Sequence, residues 1–140
     1  MAQGTIVVLV TFTSHPGQVS SSQSLTGNKQ PAGAFYLAAR DLQTIVWNLE
    51  KNDQNPNPPN GGSTVSPTTN FSGTIHIEAS LVKDPQDSTS TTPSDWFKVY
   101  EIPTSTEVNG YYNLPGNYVW LRAKVTNWTQ GVIYQITASY

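Results

Sequence analysis

Apolar and polar residues alternate strictly in two segments of the chain, Thr74–Leu81 and Tyr118–Val125. Their apolar positions are Ile75, Ile77, Ala79 and Leu81 in the first segment and Val119, Leu121, Ala123 and Val125 in the second. A period of two places successive side chains on opposite faces of a β-strand. Both segments are therefore predicted to be antiparallel strands with one face in the core and the other toward solvent.

Four more segments are rich in β-branched and aromatic residues and are bounded by Gly, Pro, Asn or Ser, which commonly end strands. They are Thr5–Thr13, Phe35–Arg40, Trp96–Ile102 and Val132–Tyr140. The segment Asp41–Glu50 allows two interpretations. Its apolar residues fit one stripe of a helix with an aspartate as N-cap, whereas the run from Thr44 to Trp47 favours a strand.

The remaining stretches, at about 14–33, 52–70 and 84–94, are polar and rich in Gly, Pro, Ser and Thr, and are predicted to be loops or arms. The 140 residues show no internal repeat and fit one domain. Many short strands without a strong helical segment predict an all-β fold, an antiparallel β-sandwich for which a jelly-roll-like strand order is one form.

The apolar run Ile6–Val10 does not alternate, which predicts burial on both faces. A single sandwich leaves one face of each sheet open to water. Either another part of the protein or another subunit covers this strand, or the strand pairs across an interface, because an exposed apolar edge promotes aggregation.

Charged residues are scarce, since only 11% of the chain is Asp, Glu, Lys or Arg and the net charge is −2. We therefore expect no nucleic-acid partner and no attachment to an anionic membrane. The chain has no cysteine, which excludes disulfides and thiolate chemistry. No apolar segment is long enough for a membrane span, and no secretory signal is recognisable.

The residues that carry acid-base chemistry form no catalytic pattern. The two histidines, His15 and His76, lie in a loop and on a polar strand face, and no Gly-x-Ser-x-Gly motif occurs. If the two alternating strands pair, Glu78 can form a cross-strand ion pair with the cations at 122 and 124. Three aspartates, Asp84, Asp87 and Asp95, raise a calcium hypothesis, but their spacing matches no EF-hand loop and favours turn and capping roles before Pro85 and Trp96. We predict no catalytic, cofactor or metal site.

Aromatic residues crowd the segment 111–128, where Tyr111, Tyr112, Tyr118, Trp120 and Trp128 occur. Tyr118 and Trp120 lie on the polar side of their strand. Exposed rings stack on sugars or anchor protein interfaces, whereas rings beneath a loop belong to a second core.

The order of several motifs resembles virion structural proteins of tailed phages, in particular cyanophages. The matching residues are the run Phe71–Leu81, the triplet Asp95-Trp96-Phe97, the run Gly116–Val125, and Gly131. The resemblance covers about half of the chain and implies a non-enzymatic, β-rich particle component. Capsid cement or decoration proteins and neck, tail or fibre subunits are the classes that it implies.

The sequence therefore predicts a virion protein that acts by binding, as a homo-oligomer and to other virion proteins such as the major capsid protein. The alternative is a carbohydrate-binding module with an aromatic platform and a glycan ligand. The residues predicted to form interfaces are Ile6, Val8, Val10, Phe12, Tyr118, Trp120 and Trp128.

Overall fold

The computed structural model describes residues 6–11, 13–14, 23–33, 41–49, 71–105, 107 and 109–140. These residues form ten strands: β1 Ile6–Val10, β2 Thr13–Ser14, β3 Gln23–Thr26, β4 Gln30–Pro31, β5 Leu42–Leu49, β6 Ser72–Ser80, β7 Phe97–Ile102, β8 Asn109–Pro115, β9 Trp120–Gln130 and β10 Val132–Ser139. No α-helix occurs in this part of the chain. The segment 41–50 is therefore a strand and not a helix where it is described.

The strands form two antiparallel sheets that pack face to face, so the prediction of an all-β sandwich is confirmed. In the first sheet the order is β1-β10-β5-β8, and β2 also pairs with β10. In the second sheet the order is β3-β9-β6-β7, and β4 also pairs with β9. Each sheet is thus built around one of the last two strands of the chain.

Alternation in β6 and β9 supplies the centre of the core. Ile75 lies opposite Val125, Ile77 opposite Ala123 and Ala79 opposite Leu121, and all six side chains are fully buried. The first sheet contributes the facing layer with Ile45, Trp47, Leu49, Ile133, Ile136 and Ala138. Burial of these side chains removes apolar surface from water and is the main force that holds the two sheets together.

The predicted inward position of Leu81 is wrong, because its side chain is 60% exposed. The strand ends at Ser80, whose hydroxyl accepts a hydrogen bond from the amide of Val82 and whose carbonyl accepts one from the amide of Val119. The chain therefore leaves the sheet one residue before Leu81, and the period of two no longer determines its direction.

A β-bulge explains why the apolar run of β1 does not alternate. The register with β10 shifts between Val8 and Val10, so that Leu9 and Val10 both face the core. Within the described residues β1 pairs only with β10 and lies at the edge of the first sheet, and Ile6 is 71% exposed. The predicted burial of both faces is not found within the described chain.

Three strands were not predicted from the sequence. Strands β3 and β4 lie within the predicted polar loop 14–33, and β8 contains Gly, Asn and Pro, which disfavour strands. The region 84–94 contains no strand. The predicted strand Phe35–Arg40 and the predicted loop 52–70 lie outside the described residues.

The two sheets approach each other closely at Gly27. Its amide donates a hydrogen bond to the carbonyl of Ala123, and a Cβ atom added to Gly27 would lie 2.5 Å from the carbonyl oxygen of Leu9. The atom in the way belongs to the backbone of β1, which cannot move aside as a flexible side chain would.

We therefore expect Gly27→Ala to destabilise the fold by about 1–3 kcal/mol, because the added methyl group pushes β1 away from the second sheet. Urea unfolding measures this change. Ser24→Ala, at an exposed position of β3, is the control and should change stability by less than about 0.5 kcal/mol. Equal stability of the two variants would show that the contact between Gly27 and β1 is not tight.

Candidate functional site

Charged residues are distributed very unequally between the two sheets. The described strands of the first sheet contain no Asp, Glu, Lys or Arg. Those of the second sheet contain five, all on its outer side. Together with a histidine they form what we call the charged face: His76, Glu78, Lys98, Glu101, Arg122 and Lys124. The sandwich therefore presents two outer faces of different chemistry.

Arg122 is the centre of the charged face. Its Nε atom donates to Oε1 of Glu78 at 2.7 Å, and its Nη2 atom donates to Oδ1 of Asp87 at 2.8 Å. The side chains of Arg122 and Glu78 are only 9% and 12% exposed. The other carboxylate oxygen of Glu78 lies 3.5 Å from Nε2 of His76. The cross-strand ion pair expected between these strands is thus present.

The loop that joins β6 to β7 lies across the charged face. The ring of Trp96 is buried against the guanidinium of Arg122, with 4.2 Å from Cζ to the ring centroid. Near the other end of the loop, the carbonyl of Lys83 accepts a hydrogen bond from the indole of Trp120 at 2.9 Å. The strands therefore anchor the loop at several points.

The three loop aspartates do not converge on one point. Asp87 pairs with Arg122, and Oδ2 of Asp95 accepts a hydrogen bond from the backbone amide of Gln86 at 2.9 Å. Among the described residues, no group of three His, Asp or Glu side chains could hold a metal ion. Asp95 thus bridges the two ends of the loop through Gln86, and this contact differs from the local turn or cap expected from the sequence.

The outer side of the first sheet is an uncharged surface, which we call the neutral face. One row of directly paired residues, Val8, Thr137, Val46 and Tyr111, crosses all four strands. Neighbouring outward positions are Ile6, Leu42, Thr44, Asn48, Asn109, Asn113, Pro115, Gln135 and Ser139. Tyr111 is 66% exposed and Val46 is 43% exposed. The described part of this face therefore combines apolar and aromatic groups with hydroxyl and amide groups.

Some of the predicted interface residues lie on this face and others do not. Ile6 and Val8 are outward residues of the neutral face, whereas Val10 faces the core and is 6% exposed. Phe12 lies outside the described residues. The predicted role of Trp128 in a surface is wrong, because this side chain is 3% exposed and its ring packs against Phe71.

Local contacts hold Tyr118 and Trp120. The hydroxyl of Tyr118 donates to the carbonyl of Pro115 at 2.9 Å, and burial, with a smaller contribution from Tyr112, raises the pKa of this phenol. The ammonium group of Lys29 lies over the ring of Trp120, 4.4 Å from its centroid. Neither ring is an open platform, so the structure does not support the predicted sugar site at these two residues.

Stacked aromatic rings close one side of the sandwich, where β7 and β8 are the edge strands. The rings of Tyr100 and Tyr112 are parallel with centroids 3.9 Å apart, and Trp47 packs against Tyr100. Burial raises the pKa of Tyr100, and the charge of Glu107 and the neighbouring Tyr112 raise it further. These rings join the two sheets and are not part of the neutral face.

Val46 and Thr137, two main residues of the neutral face, were not predicted from the sequence, and Tyr111 was predicted only as one of several clustered aromatic residues. A usable signal was present, because the segments that became β1, β5, β8 and β10 contain no charged residue. The sequence does not show that these four segments pair with one another, and only this pairing places their uncharged residues on one surface.

Comparison with protein-family models, with curated proteins and with solved structures finds no significant match to this chain. In the part of the chain that the structure describes, no helix has the length and apolar character needed to cross a membrane.

The buried ion pair leads to a stability prediction. Arg122→Met leaves the Glu78 carboxylate buried without its partner and should destabilise the protein by about 3–5 kcal/mol. The variant should also expose residues 84–94 to limited proteolysis, because Asp87 and Trp96 lose their contact with the guanidinium.

The pair of Lys98 and Glu101 is the matched control. These side chains are more than half exposed and 3.3 Å apart, so Lys98→Met should cost less than about 1 kcal/mol. Adding Glu78→Leu to Arg122→Met should restore most of the lost stability, because no unpaired charge then stays buried. Equal effects of the two Met variants in urea unfolding would contradict this account.

Proposed function

We propose that this chain is a non-enzymatic structural subunit of a tailed-phage virion, and specifically a capsid cement or decoration protein. A neck, tail or fibre subunit is the neighbouring form of the same proposal. In either role the chain acts by binding other virion proteins, such as the major capsid protein, and its location is the virion.

The single observation that supports this proposal most directly is the neutral face. Its row of Val8, Thr137, Val46 and Tyr111 leaves apolar and aromatic groups exposed on the outer side of the sheet. Protein interfaces are depleted in charged residues at their centre and enriched in aromatic ones. The outer side of the first sheet has this composition across its four principal strands.

The charged face supports a structural role in a second way. Arg122 binds both Glu78 and Asp87, and Lys98 binds Glu101 within β7. The contacts of Arg122 hold a loop on a sheet, which is an architectural use of charge. The resemblance of residues 71–81 and 116–125 to virion proteins of tailed phages is what directs the proposal to a phage particle.

The test is the salt resistance of particle association. The chain should be present in gradient-purified particles and should remain there after a wash in about 1 M salt, where charges are screened within about 3 Å. Docking through uncharged groups is not weakened by such screening. Immunogold labelling of intact particles would then locate the chain on the shell or on the tail.

Two results would count against the proposal. Absence of the chain from purified particles would exclude the virion role. Release of the chain at moderate salt would show that charged groups, and not an uncharged surface, attach it.

A second candidate function, glycan binding, is favoured by one observation. The Tyr111 ring is the most exposed aromatic side chain among the described residues, and Asn109 and Asn113 flank it on the same face. Tyrosine rings stack on sugar faces, and amide groups exchange hydrogen bonds with sugar hydroxyls. The platform would then be Tyr111 and not Tyr118 or Trp120.

Affinity electrophoresis in polysaccharide gels tests this second function. A carbohydrate-binding module should be retarded in the gel, and Tyr111→Ala should abolish the retardation. Tyr118→Ala, which alters a ring off the neutral face, should leave it unchanged. A mobility that does not depend on any polysaccharide would exclude the glycan-binding function for the sugars used.

A further inference from the structure

We propose that the occupant of the neutral face is a second copy of this chain, related to the first by a two-fold axis near Thr137 and Val46. This inference rests on the proposed function in one respect, since it takes the neutral face as the contact between two copies of the proposed subunit, so that other virion proteins bind the dimer outside this face. It defines the building unit as a dimer of sandwiches packed back to back.

The chemistry of the face fits a copy of itself. Across a two-fold axis a residue meets its own equivalent, so a charged residue near the axis would face a like charge. Hydroxyl and amide groups carry donors and acceptors together, and each can therefore bond its own equivalent. The described residues of the neutral face carry hydroxyl or amide groups or are apolar, and none of them is charged.

The charged face differs in this respect. Most of its charged groups already have partners within the chain, among them Arg122, which lies 2.7 Å from Glu78, and Lys98, which pairs with Glu101. Apposing two copies of this face would desolvate ion pairs without providing new ones, which is unfavourable. Face-to-face pairing of two copies is thus selective for the first sheet.

The position of the axis follows from the strand order. In the order β1-β10-β5-β8, the middle of the sheet lies between β10 and β5, where Thr137 and Val46 are directly paired. Tyr111 and Val8 lie at the two ends of the same row. A two-fold axis at the middle brings the outer residues of each copy over the other sheet, at the spacing of about 10 Å that is usual for packed sheets.

The size of the face sets the expected strength of the dimer. Four strands about 4.8 Å apart and about six residues long cover roughly 400 Å² per copy in the plane of the sheet. A stable interface of standard size buries about 800 Å² per partner. We therefore expect a dissociation constant in the micromolar range or weaker and a dimer that depends on concentration.

Sedimentation equilibrium of the purified full chain, up to about 1 mM, tests the inference. The wild-type chain should shift from monomer to dimer as its concentration rises, and this face should form no larger oligomer. Thr137→Arg should weaken the dimer at least about tenfold, because it places two like charges near the axis. The matched control is Thr126→Arg, which introduces the same charge at an outward position in the central strand of the second sheet and should leave dimerisation unchanged.

A second measurement keeps the inference testable if Thr137→Arg fails to fold. Because the chain lacks cysteine, Val46→Cys introduces a single thiol close to the axis. A short bismaleimide should then cross-link two copies, whereas Thr126→Cys should stay monomeric under the same conditions. Tyr111→Lys, at an exposed site of an edge strand, is a further variant that should weaken the dimer.

A wild-type chain that remains monomeric up to about 1 mM overturns the inference. Equal weakening by Thr137→Arg and Thr126→Arg also overturns it, as does equal cross-linking of the two cysteine variants. Particle association is measured separately. If the chain forms the dimer but is absent from particles, the virion role alone is refuted. If the chain is a monomer bound to particles and Thr137→Arg abolishes that binding, the neutral face binds another virion protein and the dimer alone is refuted.

Discussion

The antiparallel pairing of β6 with β9 is the constraint on which the rest of the structure depends. In this register three pairs of apolar residues meet on the inner side, and Glu78 lies opposite Arg122 on the outer side. A slip of one residue would bury the charged side chains and expose the apolar ones. Hydrophobic burial and the ion pair therefore select the same register, although they act on opposite faces of the sheet.

Charge segregation follows from this pairing and from the composition of the other strands. The few charged residues of the described strands are all assigned to the second sheet, where Arg122 and Glu78 anchor the loop that carries Asp87 and Trp96. The described strands of the first sheet have no such groups and are held by backbone pairing, by their inner apolar layer and by neutral hydrogen bonds such as that from Thr44 to Asn113. The described outer side of this sheet is consequently an uncharged surface that is suited to a partner.

The sequence predicted this fold correctly where apolar and polar residues alternate with a period of two. The alternation in β6 and β9 identified both strands, their inner residues and the possibility of an ion pair at Glu78. It failed at Leu81, where the strand ends, and in β1, where a bulge turns Leu9 and Val10 inward. Strands such as β8 could not be predicted, because pairing with β5 stabilises a segment whose own residues do not favour a strand. The neutral face required strand order, which depends on contacts between segments more than sixty residues apart.

The positions of β9 and β10 have a consequence for how the protein forms. Strand β9 is the partner of β3, β4 and β6, and β10 is the partner of β1, β2 and β5, yet both come after all the other described strands in the chain. Neither sheet can be completed during synthesis until these two strands have left the ribosome. Contacts of such long range also make folding slow. During that interval β1 has no pairing partner, whereas β5 and β6 can pair only with β8 and β7 on one side, so that apolar residues of all three strands stay exposed to association with other chains.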